Sequence, residues 1–374
     1  MLLLIPGPVT TRPEVRQAMA QDIAPWDNDF RPRYAAMRAR VLGIANAPAE
    51  THDAICFGGC GHFGIEAAIR SFLPAGGRIL IPQVGAYAER MARLANEAGR
   101  IAVPLAMDPD APVSPQAVAA ALAADPEITH VGLVYNETGT GVVHDPASIG
   151  DVVRAAGRRV ILDAVSAFGA LPLDISAHPE IDAAVFTSNK CLEGLPGLVF
   201  AICRKDRLEG TAGNAGSWSF DLADILAGYA RGPGVIRFTP PAQVMLAFMT
   251  ALDLFDAEGG QPARLARYRA NTAALYTGMQ GIGMVPYLPF AVQGPIVMNI
   301  HAPTDPAWSL QGFVDALKRR GYLISNFYNT PQPSFRVGCI GALTPEDMRG
   351  FVQATDAALV ELGVHHRLPG QTAA

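Results

Sequence analysis

The chain has 374 residues, half of them hydrophobic and 17% charged, so it can bury a large core and is not a disordered polymer. Its formal charge is -5 and no block of lysines or arginines interrupts it, which excludes the basic field a nucleic-acid backbone requires. The apolar run Met1-Leu2-Leu3-Leu4-Ile5 has no basic flank and stops at Pro6-Gly7-Pro8, too short for a signal peptide or a membrane span, so a cytoplasmic globular protein is expected.

From residue 53 to residue 203 short apolar β-type runs alternate with helical patterns. This is the rhythm of an α/β fold, an open and mostly parallel sheet of about seven strands with helices on both faces. Strands are expected at 53–57, 78–82, 101–105, 130–135, 159–163, 182–187 and 198–203. Helices fit at 65–72, at 86–98, at 115–124 behind the cap Ser114, and at 147–156 behind Asp145-Pro146. A glycine-rich irregular stretch follows to Gly234, and a helix at 242–257 closes a large domain of residues 16–257. Beyond it a helix at 261–279, strands near 295–301, 322 and 335–339, and helices at 310–320 and 345–362 make a smaller α+β domain, residues 258–374. The segment 1–15 joins the two, and residues 369–374 read as a frayed tail.

The odd number of scattered cysteines, Cys56, Cys60, Cys191, Cys203 and Cys339, gives no metal-finger spacing and reads as free thiols. Lysine is scarcer still, at Lys190, Lys205 and Lys318 only. Lys205 and Lys318 stand in charged surface settings, whereas Lys190 follows a buried strand, where an unpaired ammonium is costly without a chemical role. Asp163 closes the strand before it, so a carboxylate and a lone lysine meet at the carboxyl edge of the sheet, where open α/β folds bind ligands. Upstream, Gly59-Cys60-Gly61-His62-Phe63-Gly64 leads from a strand into a helix and is suited to an anion. It fits the dinucleotide pattern, but the next strand ends in Gln83 where a nicotinamide site wants an acid. One cofactor uses all three features, with a phosphate for the loop, a ring nitrogen for Asp163 and an aldehyde for Lys190: pyridoxal 5′-phosphate.

These residues make the chain recognisable. Pro25-Trp26-Asp27-Asn28-Asp29-Phe30, Gly85-Ala86-Tyr87, Asn136-Glu137-Thr138-Gly139-Thr140-Gly141, Asp163-Ala164-Val165-Ser166-Ala167-Phe168-Gly169, Ser188-Asn189-Lys190-Cys191 and Phe335-Arg336-Val337-Gly338 span nearly all of it. The chain resembles the class V aminotransferases of pyridoxal-phosphate fold type I and, within them, the 2-aminoethylphosphonate:pyruvate aminotransferases. The resemblance implies that Lys190 bonds to the cofactor and that Asp163 contacts its ring nitrogen. By the same resemblance Tyr87 stacks on the ring, Thr138 contacts the ring hydroxyl, and Cys60, Gly61, His62 and Asn189 surround the phosphate. It implies a homodimer in which Thr239 reaches the neighbouring subunit's phosphate site. Arg336, Trp26 and Gly7 become the expected substrate-binding residues, and no metal is implied.

Some residues depart from that pattern. Cys60 and His62 replace serines, Asn326-Phe327-Tyr328-Asn329 replaces a Pro-Gly-Lys type segment, and Cys339 replaces an asparagine. These keep alive a same-branch enzyme with another donor, such as alanine or serine with glyoxylate, or pyridoxamine with pyruvate. An NAD-dependent oxidoreductase built on Gly59 to Gly64 is the rival of a different class. His130, His144, His178, His365 and His366 are expected on the surface or in turns, and Cys191 is expected to pack.

Overall fold

The computed structural model describes residues 1–370; the end of the expected tail, residues 371–374, lies outside them. In chain order the strands are β1 (Leu2–Leu3), β2 (His52–Gly59), β3 (Arg78–Gln83), β4 (Ile101–Ala106), β5 (Ile128–Val134), β6 (Arg159–Asp163), β7 (Ile181–Thr187), β8 (Gly197–Arg204), β9 (Val297–His301), β10 (Tyr322–Leu323) and β11 (Ser334–Gly338). The helices are α1 (Pro13–Ala18), α2 (Phe30–Ile44), α3 (Gly61–Phe72), α4 (Ala86–Glu97), α5 (Pro115–Ala124), α6 (Pro146–Ala155), α7 (Lys205–Leu208), α8 (Leu222–Tyr229), α9 (Ala242–Glu258), α10 (Gly260–Gly281), α11 (Leu310–Arg319) and α12 (Pro345–Glu361).

Seven strands form one sheet in the order β2-β8-β7-β6-β5-β3-β4. Within it β8 alone runs against its neighbours, pairing antiparallel with both β2 and β7. The central strands β5, β6 and β7 are buried on both faces, which is why they read as unbroken apolar runs rather than alternating ones. Phe168, Phe186, Phe200 and Phe248 stack in series on this sheet, with successive ring centroids 3.8, 4.9 and 5.1 Å apart. Each buried ring of this kind stabilises the fold by roughly 2–3 kcal/mol.

Helix starts follow local chemistry. Ser114 Oγ accepts the Ala117 N–H, Asp145 accepts the Ala147 N–H, and Thr344 and Asp347 close a reciprocal capping box at α12. Two helices unassigned from sequence, α1 and α2, precede the sheet; α2 buries Phe30, Tyr34, Met37, Val41 and Leu42.

Two principal hydrophobic clusters result. One runs from Val15 to Leu265 around the large sheet, and the other gathers Leu4 with residues from Leu275 to Val364 around β9, β11, α11 and α12. The N-terminal strand β1 pairs parallel with β10, Leu2 opposite Tyr322. No helix among the described residues is long and apolar enough to cross a membrane.

Candidate active site

Two buried parallel strands set the site. Asp163 ends β6 and pairs in register with Val185, two residues before β7 ends at Thr187. The carboxylate and the turn after β7 therefore leave the sheet side by side. That turn is fixed by Gly194 N–H donating to Ser188 O at 2.8 Å and by Ser188 Oγ donating to Leu195 O at 2.5 Å, and it delivers Asn189 and Lys190 to the cleft.

The third contribution comes from α3. Its N-cap, Cys60, is extended and makes no side-chain cap bond, and although Phe63 N–H donates to Cys60 O at 3.0 Å, the Gly61 and His62 N–H groups keep their donor capacity. A Cβ on Gly61 would stand 2.8 Å from a Val165 methyl; glycine lets the helix begin against the Asp163–Val165 turn. Opposite, Gly7 has φ +142°, and a Cβ there would lie 2.6 Å from Lys190 Cδ and 2.7 Å from Nζ. The N-terminal segment thus forms a close wall beside the lysine.

The resulting cleft encloses about 190 Å³ and is lined by Cys60, Gly61, His62, Tyr87, Arg90, Asp163, Asn189 and Lys190, with Ile65, Met91, Leu94, Val165 and Thr187 as its less polar walls. Seven of the residues expected around the cofactor are therefore brought together. Thr138 stands beside them in a buried turn, where its Oγ1 donates to Ser166 Oγ at 2.9 Å. Its carbonyl accepts from Arg336 Nη1 at 2.7 Å, which ties β11 to the sheet edge.

Arg336 is buried. It also donates to Ser325 Oγ at 3.4 Å, and Asn329 Oδ1, with the amide oriented to satisfy both groups, accepts from Nη2 at 3.2 Å. Phe327 lies under the guanidinium, 5.4 Å from ring centroid to Cζ, and the buried Nε has no partner among the described residues.

Burial dominates the electrostatics. It raises the Asp163 carboxyl to about 6, against the Val165 N–H and the Lys190 charge, which pull it down. It lowers the Lys190 ammonium to about 8, with the Arg336 charge acting the same way and Cys191 and Asp163 opposing. Glu137, fully buried behind the Thr138 turn, is pushed to about 7 by desolvation although it accepts the Gly139 N–H at 2.7 Å. Near neutral pH the cleft holds an amine, Lys190, and a carboxyl, Asp163, within reach of both protonation states, as acid–base work requires.

Other expected residues lie elsewhere. Thr239 is exposed and Trp26 is 55% exposed, and neither lines this cleft. Gln83 turns its amide onto Ile81 O, so the nicotinamide rival gains nothing from it. Cys191 packs: its thiol donates to Ser166 O at 3.3 Å and burial pushes it to about 12. The reading of the histidines as surface or turn residues holds for His365, His366 and the half-buried His178, while two others are buried. His130 is buried with Nε2 3.2 Å from Asp182 Oδ2, and His144 is 1% exposed, its ring lowered to about 4 by burial. His130 also bonds to its neighbour Thr129, but Asp182 and the Val113 N–H that donates to His144 Nδ1 at 3.2 Å are distant in sequence, which local context does not reveal.

Two residues at the site were given no role from sequence. Glu137, buried behind the cleft, sits inside a recognised motif, and Arg90, in the cleft lining, follows Tyr87 by one helical turn on α4; that i, i+3 spacing was the available signal.

The family model for class-V aminotransferases matches residues 22–302. The chain is 42% identical over 363 residues to the 2-aminoethylphosphonate–pyruvate transaminase of Burkholderia ambifaria (strain MC40-6), covering 97% of this chain and 96% of that protein. It is 41% identical to the protein of the same name from Pseudomonas fluorescens (strain Pf0-1), covering 97% and 98%. Among solved structures, pyridoxamine-pyruvate aminotransferase from Mesorhizobium loti matches with a TM-score of 0.86 at 23% identity, over 97% of this chain and 93% of that one, a likeness of fold. With Lys190 and Asp163 side by side at the sheet edge and a family match over most of its length, the chain belongs to the class-V aminotransferases.

Proposed function

We propose that this aminotransferase uses pyridoxal 5′-phosphate to move the amino group of 2-aminoethylphosphonate to pyruvate, releasing phosphonoacetaldehyde and alanine. The observation that carries the reading is the convergence of Lys190, Asp163 and the uncapped start of α3 on one cleft, in a chain about 40% identical to transaminases with that donor and acceptor in their names.

The residues fit the cofactor. A helix start with unspent N–H donors and glycine at Gly61 suits a phosphate, with Cys60, His62 and Asn189 around it. Asp163 suits a protonated ring nitrogen, Tyr87 a stacked ring, Thr138 a ring hydroxyl, and Lys190 an aldehyde. The bound cofactor supplies an electron sink for the substrate carbon that loses its proton. Lys190, lowered to about 8, gives up its own proton readily enough to act as nucleophile and then to take and return a proton at that carbon. Asp163, charged above about 6, holds a cationic ring nitrogen in place. The planar fork of Arg336 suits the acidic group of donor and keto acid.

Support for a homodimer lies in Thr239, which is exposed in its own chain beside the exposed aromatics Phe238 and Trp218; we assign it to the partner's phosphate site. The two hydrophobic clusters support the division into residues 16–257 and 258–374, with segment 1–15 contributing Val15 to the first and Leu4 to the second.

The test is an absorbance spectrum of the purified holoenzyme before and after 2-aminoethylphosphonate, with no keto acid present. Loss of the visible band is expected. A band indifferent to the phosphonate but lost with alanine, serine or pyridoxamine moves the donor to the second reading, which the contact of Asn329 with Arg336 favours. No band after reconstitution overturns the cofactor.

A further inference from the structure

Arg90 lines the same cleft as Lys190 and Asp163, yet no role above uses it. It projects from α4 one turn beyond Tyr87, with its guanidinium carbon 5.0 Å from the Tyr87 ring centroid. Its neighbour on the helix, Arg93, is paired with Glu97 at 3.4 Å. Arg90 is exposed at the cleft, and among the described residues it has no such carboxylate partner and its guanidinium makes no hydrogen bond. Its charge nevertheless reaches across the cleft: it opposes the protonation of His62 and adds to the pressure on Arg336.

Arg336 makes no direct ion pair either, although the buried Glu137 attracts it from behind the Thr138 turn. It is bound to neutral acceptors, Thr138 O, Ser325 Oγ and Asn329 Oδ1, and one buried N–H, on Nε, is left without a partner. Two guanidinium groups around one tyrosine, neither paired with a carboxylate, repel each other until an anion enters. A carboxylate offers two oxygens and one charge, which a single fork satisfies. A phosphonate offers three oxygens and up to two charges, more than the partly committed Arg336 can serve.

We infer that Arg90 is the second anion-binding residue of the donor pocket, closing with Arg336 on the phosphonate of the amino donor. The inference rests on the donor proposed above. The cofactor phosphate carries the same oxyanion chemistry and Arg90 shares the cleft lining with Gly61 and His62, but the start of α3 already serves that phosphate, whereas the Arg90 guanidinium lies over the ring of Tyr87, one turn before it on α4.

The test uses holoenzyme and the variants Arg90→Ala and Arg90→Lys, with half-saturation measured from bleaching of the visible band by 2-aminoethylphosphonate and, separately, by L-alanine. For Arg90→Ala the phosphonate-to-alanine ratio of half-saturating concentrations should rise roughly 10- to 100-fold, the range for losing a hydrogen bond to a charged group. Arg90→Lys, which keeps the charge and loses the fork, should fall between. A ratio unchanged in both variants overturns the inference while the unsubstituted enzyme still converts the phosphonate. Weakened retention of pyridoxal phosphate with equal losses for both donors also overturns it, and gives Arg90 to the cofactor phosphate. An unsubstituted enzyme that ignores the phosphonate but responds to alanine overturns the donor reading and this inference together.

Discussion

The wall of the cleft built from β6 and β7 and the wall built around Arg336 are held by different means. Asp163 and Lys190 emerge from two strands buried on both faces, in a register fixed by the sheet and by the phenylalanine stack beneath it. Arg336 also leaves a buried strand, β11, and donates to Thr138 O, but the other groups that aim its guanidinium, Ser325, Phe327 and Asn329, sit on the segment after β10, where Phe327 is 52% exposed. The first wall can change only by damaging the core, whereas the second can change by altering a loop. Cofactor chemistry is thus locked to the fold, and donor preference is left adjustable.

Breaking the rigid wall should cost most. Lys190→Ala is expected to lose at least about 10³-fold in turnover, measured as alanine formed from pyruvate, while keeping pyridoxal phosphate through non-covalent contacts; ordinary activity in the variant would sink the assignment. On the adjustable wall, Arg336→Ala should lower kcat/KM for the donor roughly 100-fold, about 3 kcal/mol, with cofactor loading intact. Lost cofactor with unaltered substrate use would reverse the two walls' roles.

A subtler probe is pH. Lys190 must be neutral to attack an aldehyde, and burial lowers it to about 8, so the rate at which apoprotein takes up pyridoxal phosphate should rise with pH and level off above about 8 in stopped-flow absorbance. Arg336→Ala removes a neighbouring positive charge and should move that midpoint upward. By linkage the unfolded chain holds the lysine proton more tightly than the folded one between about 8 and the ordinary 10.5. The Lys190 contribution to apoprotein stability should therefore increase with pH across that interval, read by denaturant titration. The smallest effect is expected at the loop: Asn329→Ala frees one edge of Arg336 and should change the phosphonate-to-alanine preference by roughly threefold, the scale of a modest hydrogen bond. No change in preference would deny the segment its part in donor choice.

What was legible in the sequence follows the same division. Continuous apolar runs such as 160–162 and 183–186 identify buried parallel strands, and scarcity makes Lys190 conspicuous at the end of one. Helix α2 was not legible, because Arg31, Arg33, Arg38 and Arg40 interleave its apolar residues and Asp29 supplies no side-chain cap. One of them, Arg38, is satisfied by Asp53 and stacks on Tyr229, 3.6 Å from its ring centroid, partners that no local window contains. Arg90 is an exposed helix arginine in the structure too, and only the folded cleft shows that it shares a lining with Lys190 and Asp163. Thr239 and Trp26 were singled out by resemblance, and one chain alone leaves both at its surface.

The strap formed by residues 2–8 has a consequence in the order of synthesis. Leu2 and Leu3 pair with Tyr322 and Leu323, Leu4 joins the second cluster, and Gly7 closes against Lys190. Residues made early must therefore wait for partners made some three hundred positions later, on the order of tens of seconds at ordinary translation rates. The large sheet can assemble on the ribosome, but the wall beside its lysine is finished only after β10 has been made. A nascent chain would thus expose a reactive amine without its neighbouring wall, and competence to hold the cofactor properly arrives late.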